Sequence, residues 1–199
     1  MKIIIITTIV ILIIFIIQSI TSISVARTET QKYTVLLKEK DFEIREYAPA
    51  ILASVKMDKT TYRETSSGGF RILASYIFGQ NEAQQKIAMT SPVHMKMEDN
   101  GTTMSFVMPS KYDLEDLPIP SSDAIEMHES PRVITASLKF GGYANDWVIR
   151  EKMSELQRIL KKKGIEHTGD FTFLGYNPPF QAINRRNEVL VSLVNYSGN

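Results

Sequence analysis

The sequence predicts an α+β fold in which duplicated β-α-β-β units form a twisted antiparallel sheet, curled into a distorted open barrel with two flanking helices. Three observations support this prediction. Apolar and polar residues alternate along several short segments, two other segments have the apolar period of an amphipathic helix, and one strand-like pattern occurs twice. Alternation with a period of two is typical of strands, whereas apolar residues three and four positions apart are typical of helices.

The repeated pattern lies in residues 42–57 and 125–140, which are 125 − 42 = 83 positions apart. Each segment is predicted to form a strand. The identical pairs at this offset are Glu43/Glu126, Glu46/Glu129, Ile51/Ile134, Ala53/Ala136, Ser54/Ser137 and Lys56/Lys139. The shared phase indicates an internal repeat, with one copy at about 42–108 and the other at about 125–194.

In the first copy a helix is predicted after the strand, within residues 66–79, where Gly79 supplies a C-terminal stop. The residues of its apolar face are Phe70, Leu73, Ala74 and Ile77. Two strands are predicted next, at about 87–97 and 103–108. The dipeptide Asn100-Gly101 between them is typical of tight hairpin turns.

In the second copy the helix is predicted within residues 145–164, with Asn145 or Asp146 as its N-cap and Gly164 as its stop. Its apolar stripe comprises Ile149, Met153, Leu156 and Leu160. Strands follow at about 171–176 and 188–194. The proline-containing segment between the copies is interpreted as an ordered linker, so residues 27–199 are predicted to form a single domain.

The N-terminal segment differs in character from the rest of the chain. Residues 3–26 carry no charged side chain, and Lys2 precedes a nearly continuous aliphatic run. This pattern predicts a membrane anchor or a signal peptide in residues 1–26. We expect the anchor, which would hold the domain at a membrane and outside the cytoplasm. Cleavage after Ser24-Val25-Ala26 would instead make the domain secreted or periplasmic.

The remaining 199 − 26 = 173 residues are enough for one domain with its own core. Their formal net charge is +1 − 1 = 0, because the N-terminal segment contains only Lys2. A neutral domain lacks the basic surface that nucleic-acid binding requires, so no nucleic-acid partner is expected. The chain has no cysteine and therefore no disulfide. Because the core pattern is complete without the N-terminus, we expect the domain to be a monomer.

The sequence contains no Gly-x-Ser-x-Gly elbow, no His-Glu-x-x-His motif and no phosphate-binding glycine loop. His94, His128 and His167 fall in different segments, and each is interpreted as exposed or locally hydrogen-bonded. His94 alternates with Met95 and is expected to point away from the apolar face. We therefore expect a binding protein, not an enzyme, with no catalytic residue and no metal-binding residue.

Several motifs together resemble one known family: "FEIREYAPA", "GGFRILASYIFG", "KIAMTSPV", "FVMPSKY", "LKFGGYA" and "GYNPPF…RRNEV". In this order, over about Tyr33–Val194, they resemble the SOUL/p22 haem-binding protein family. The combination of the third and the last motif is specific. The resemblance implies a duplicated β-α-β-β fold. It also implies that haem, or another tetrapyrrole or porphyrin, binds in a surface cleft between the first helix and the loop before the last strand.

Carried over by position, the resemblance implies a cofactor-binding set from both segments. The helix contributes Phe70, Arg71, Leu73, Ala74 and Ile77, and the loop contributes Pro178, Pro179, Phe180, Gln181, Arg185 and Arg186. Gln181 stands where family members carry a basic residue, which leaves three arginines as candidates for the propionates. The histidine proposed as an axial ligand in some members has no counterpart, so haem is expected to bind without one.

The residues of the loop also suit such a ligand on their own. An apolar Pro178-Pro179-Phe180 ridge followed by Arg185 and Arg186 fits a flat hydrocarbon with carboxylates at one edge. The alternative for the arginines is that they pair with acidic neighbours in a tight crossover. The alternative for the whole protein is a non-haem small-molecule or partner-binding module on the same fold.

Overall fold

The computed structural model describes residues 6–9, 12–13, 28–58, 61–98 and 100–197. Its strands are β1 Glu29–Thr30, β2 Tyr33–Lys38, β3 Glu43–Tyr47, β4 Ala50–Met57, β5 Thr90–Ser91, β6 Val93–Glu98, β7 Gly101–Val107, β8 Ile125–Ser130, β9 Val133–Phe140, β10 His167–Gly175 and β11 Asn187–Leu193. Two α-helices pack on the sheet, α1 Tyr62–Ile77 and α2 Asp146–Lys163, and a short 3-10 helix covers Leu114–Asp116.

Nine strands form one sheet in the order β2-β3-β9-β11-β10-β6-β7-β4-β8, and neighbouring strands in it are antiparallel. Strands β1 and β5 form a separate parallel pair. In the chain, β1 precedes the edge strand β2, and β5 precedes the interior strand β6. The β1–β5 pair therefore connects one edge of the sheet to its interior. The sheet curls into an open half-barrel, and the predicted α+β fold is confirmed.

The strand register divides the sheet into two faces, since directly paired residues lie on the same face. The helix-covered face carries the main core, with Ile44, Ala136, Val191, Phe173 and Met104 among its buried residues. Helix α1 contacts β4 and β7, and α2 contacts β9, β10 and β11. The second face carries polar residues, several of them buried: Arg45, Ser54, Ser105, Ser137 and Glu188.

Both helices bury most of the stripe that the sequence predicts. The fully or nearly fully buried members are Leu73, Ala74, Ile77, Ile149, Leu156 and Leu160. Met153 is partly buried against the same core. Phe70 is the exception, because its ring remains 37% exposed while its edge packs on Phe106, with 5.3 Å between the ring centroids.

The ends of α2 lie where the local signals place them. The side-chain oxygen of Asn145 accepts a hydrogen bond from the Val148 backbone N–H at 2.9 Å, and Gly164 ends the helix at φ 66°. Helix α1 begins earlier than predicted, because Thr61 caps it. The Thr61 hydroxyl accepts a bond from the Glu64 backbone N–H and donates to the Glu64 carboxylate.

The strand predictions need three corrections. Residues 42–57 and 125–140 each form two strands, which pair with other strands of the sheet and not with each other. Pro49 and Pro131 separate them, because proline lacks the N–H that a continuous strand would use. The strand predicted at 87–97 is divided at Pro92 into β5, Thr90–Ser91, and β6, Val93–Glu98. Strands β1 and β2 were not predicted. Strands β8 and β9 end 130 − 47 = 83 and 140 − 57 = 83 residues after β3 and β4, and the internal repeat itself stays a prediction.

The predicted membrane-anchored localisation is wrong. Within the ranges that the structure describes, no helix is long and apolar enough to cross a membrane. Apart from residues 6–9 and 12–13, the segment 1–26 to which the anchor or signal peptide was assigned lies outside the described residues.

Candidate functional site

The loop between β10 and β11 is held in shape by hydrogen bonds to its own backbone. The Arg185 Nη1 donates to the carbonyl oxygens of Pro178 and Gln181, at 2.8 and 2.7 Å. The Arg186 backbone N–H donates to the Asn177 side-chain oxygen at 2.6 Å. The Gln181 amide donates to the Ile183 carbonyl at 3.0 Å. These bonds fix a loop that has no regular secondary structure.

Large apolar side chains are exposed on and beside this loop. They are Tyr143 (58% exposed), Trp147 (71%), Phe180 (62%) and Ile183 (51%). The guanidinium of Arg185 lies 4.7 Å from the centroid of the Tyr143 ring, which ties the loop to the segment before α2. We call these four residues and Arg185 the aromatic surface. Arg185 brings Tyr143 against the loop that carries Phe180 and Ile183, and exposed apolar residues that lie together are typical of a binding surface.

The N-terminal end of α1 lies beside the aromatic surface. The backbone N–H of Tyr62 donates to an Asp146 carboxylate oxygen at 2.6 Å, and its ring packs edge-on against Phe173. Burial raises the pKa of the Tyr62 phenol, and the charge of nearby Arg185 opposes this shift. Phe70 follows Tyr62 by eight residues, or about 12 Å along the helix axis. Tyr62 therefore connects α1 to the loop and to α2.

The structure places the predicted site residues at different depths. Phe70, Arg71, Pro179 and Phe180 are exposed, and Pro178 is partly exposed. The side chains of Leu73, Ala74 and Ile77 belong to the main core, and Gln181 is only 2% exposed. The buried members of the set thus belong to the interior of the fold. Their role in cofactor binding stays a prediction.

The two arginines of the loop have different surroundings. Arg186 belongs to a buried ionic cluster on the second face, where its Nη2 lies 2.7 Å from Glu188 Oε1. Arg45 Nη1 lies 2.6 Å from Glu188 Oε2, and the Tyr176 hydroxyl donates to the same oxygen at 3.0 Å. Arg186 thus pairs with an acidic neighbour, as the alternative prediction has it. Arg185 has no carboxylate partner among the described residues.

Glu188 is fully buried and charged. Burial alone would raise the pKa of this carboxyl, but the hydrogen bond and charge of Arg45, together with the charge of Arg186, outweigh it. The pKa of Glu188 is therefore lowered. The cluster joins β3 to β11 on the second face and fixes the start of β11, from which the loop departs.

None of the described histidines belongs to the aromatic surface. His94 lies on the second face of β6, opposite Ser105 and Leu174, and so points away from Met95 as predicted. Its Nε2 is buried without a hydrogen-bond partner, and burial lowers the pKa of His94 to about 4. This burial was not predicted. Across the described ranges, no group of three or more His, Asp or Glu residues could hold a metal ion.

Sequence reasoning missed four residues of this region: Tyr62, Tyr143, Trp147 and Ile183. Two signals were available. Trp147 is the one tryptophan of the chain and follows the N-cap of α2, and Tyr143 lies in the "LKFGGYA" motif. Whether an aromatic residue at a helix start is buried depends on where the neighbouring loop lies. The exposure of Trp147 could therefore not be predicted from the sequence.

Comparison with known proteins decides the family. The sequence model described as SOUL heme-binding protein matches residues 28–192. The chain belongs to the SOUL heme-binding protein family. This SOUL protein is 30% identical to Heme-binding protein 2 of Mus musculus over 156 residues, which cover 74% of this chain and 76% of that protein. It is 32% identical to Heme-binding protein 1 of Xenopus tropicalis over 161 residues, covering 76% and 84%. The predicted family is confirmed.

Solved structures show the same fold at much lower identity. The SOUL protein superposes on the EcmrR C-terminal domain with a TM-score of 0.57 at 11% identity, covering 82% of this chain and 99% of that one. A hydrolase from Listeria innocua gives a TM-score of 0.56 at 6% identity, covering 79% and 94%. At these identities the similarity shows the fold alone.

Proposed function

We propose that this protein binds haem or another tetrapyrrole reversibly, as a carrier or buffer, and catalyses no reaction. The observation that carries the proposal is the aromatic surface, where exposed apolar side chains accompany Arg185, a cation that stacks on Tyr143 and has no carboxylate partner among the described residues. Membership of the SOUL heme-binding protein family supports it. The proposed site extends from Phe70 and Arg71 on α1 to Phe180 and Arg185 on the loop.

The residues present fit a tetrapyrrole in shape and charge. Exposed aromatic side chains offer flat apolar faces to a macrocycle, and Arg71 and Arg185 supply positive charge for its acidic edge. The core residues Leu73, Ala74 and Ile77 keep α1 rigid beneath Phe70. When bound, haem itself would supply the iron centre and the visible absorption. The chain's own part is to bind the ligand and to shield one face of it from water.

We propose that the chain supplies no axial ligand to the iron. The Nε2 of His94 is buried on the second face. The Nδ1 of His128, in strand β8, is also buried. His167 begins β10 and packs edge-on against Phe171. Binding would then depend on apolar contact with the macrocycle and on charge. Removing the iron would therefore change the binding affinity only slightly.

Replacing Phe180 with alanine is expected to weaken haemin binding by about tenfold. The ring is 62% exposed in the free protein. Complete burial of a phenylalanine side chain contributes roughly 1.5–3 kcal/mol, so covering part of this ring would contribute about 1.4 kcal/mol, which is tenfold in affinity. Absorbance titration of haemin measures the change. Phe78→Ala is the matched control, because Phe78 is 63% exposed but lies at the opposite end of α1. Equal affinities of the two variants would contradict the location of the site.

A further inference from the structure

A cavity of about 430 Å³ lies beside the aromatic surface. Its walls come from the turn between β2 and β3, from the end of β9 and from Arg185. Arg185 joins the two regions, because this residue borders the cavity and its guanidinium stacks on Tyr143 of the aromatic surface.

Basic side chains dominate the lining of this cavity. It contains Lys38, Lys40, Lys139 and Arg185 against Glu39, Asp41 and Glu43, which gives +4 − 3 = +1, and also Arg45, whose charge is paired with the buried Glu188. Two of the carboxylates already have partners, since Glu43 pairs with Arg45 at 2.8 Å and Glu39 with Lys163 at 2.8 Å. In the part of the chain that the structure describes, Lys40, Lys139 and Arg185 have no such partner.

Arg185 is also preorganised to receive an anion. Its Nη1 is held by the carbonyls of Pro178 and Gln181, which fixes the plane of the guanidinium. Its Nε is buried and has no hydrogen-bond partner among the described residues. A buried donor without an acceptor destabilises the fold, and an arginine edge matches the two oxygens of a carboxylate. An anionic group that reaches the guanidinium would supply the missing acceptor.

We propose that this cavity is the acid-group subsite of the ligand site. Carboxylates at the edge of a bound tetrapyrrole enter it and pair with Lys40, Lys139 and Arg185, while the apolar body of the ligand lies on the aromatic surface. This proposal rests on the proposed function. It adds two lysines, one from the β2–β3 turn and one from β9, that the sequence did not indicate as site residues.

The test compares protoporphyrin IX with its dimethyl ester, which differs in having no free carboxylate. We expect the wild-type protein to bind the diacid about tenfold to a hundredfold more tightly than the diester. The double variant Lys40→Gln/Lys139→Gln is expected to lose most of this preference and to bind the diester within about twofold of wild type. The variant Lys56→Gln/Lys86→Gln makes the same charge change at exposed lysines outside the cavity and should keep the preference.

The outcomes separate the subsite from the function. If the wild type binds diacid and diester equally, or the Lys40→Gln/Lys139→Gln variant keeps the full preference, the subsite is overturned and tetrapyrrole binding stands. If the wild type binds neither porphyrin, the proposed function fails and the subsite fails with it. All four lysines are exposed, so the variants should fold, which circular dichroism verifies.

Discussion

Replacing Glu188 with glutamine is expected to lower the free energy of unfolding by about 3–5 kcal/mol. The substitution preserves the shape of the side chain but removes the negative charge between Arg45 and Arg186, which lie 2.6 and 2.7 Å from its two oxygens. Arg45 is only 2% exposed, so water cannot replace the lost partner. Two cations would then face each other across a neutral amide at the start of β11.

Urea unfolding at pH 7 measures this effect, with Glu46→Gln as the control. Glu46 also pairs with an arginine, Arg132, at 2.7 Å, but the side chains are 28% and 63% exposed. An exposed pair contributes about 0–1 kcal/mol. A Glu188→Gln loss as small as that of the control would show that the buried cluster does not hold β3 and β11 together.

Lowering the pH from 7 to 4.5 is expected to cost about 2–3 kcal/mol of stability through His94. Burial lowers the pKa of His94 from 6.5 to about 4 in the folded protein. Between these values the unfolded chain binds a proton that the folded chain does not, so stability rises with pH across this interval. It is fully present above pH 6.5 and is lost progressively as the pH falls towards 4.

The variant His94→Leu isolates this contribution, because leucine suits the neighbouring Leu174 and does not titrate. Its unfolding free energy should change much less between pH 7 and 4.5 than that of the wild type. If wild type and His94→Leu lose stability in parallel, His94 is not buried in its neutral form.

Features with local causes were predictable from the sequence. The bounds of α2 follow from Asn145, Gly164 and the apolar stripe, each of which acts within a few residues. The turn between β6 and β7 follows from Asn100-Gly101. By contrast, the division of residues 42–57 into two strands was missed, because the alternation of residues 51–57 was extended back across Pro49. The apolar positions in fact shift there from even (Phe42, Ile44) to odd (Ile51, Ala53).

The candidate site was predictable only in outline, because the surroundings of its residues depend on contacts between distant parts of the sequence. Arg185 and Arg186 are adjacent in the loop, yet one borders the aromatic surface and the other binds Glu188 on the second face. The two side chains differ because of contacts made across the fold, with Tyr143 and with Glu188, which the local sequence does not show. Likewise, Lys139 reaches the cavity because β9 pairs with β3, a contact made across more than 80 positions of sequence.

Titration of the purified full-length protein with haemin, followed at the Soret band, tests the central claim most directly. A drug-sized ligand gains at most about 0.3 kcal/mol per heavy atom, so a porphyrin of roughly 40 heavy atoms has a ceiling near 12 kcal/mol, or about nanomolar. An exposed surface shields only one side of the ligand, so we predict a saturable Soret shift with a Kd of micromolar order. Metal-free protoporphyrin should bind within about tenfold of haemin. A response that rises linearly with haemin and never saturates would contradict tetrapyrrole binding and favour a non-haem binding module on the same fold.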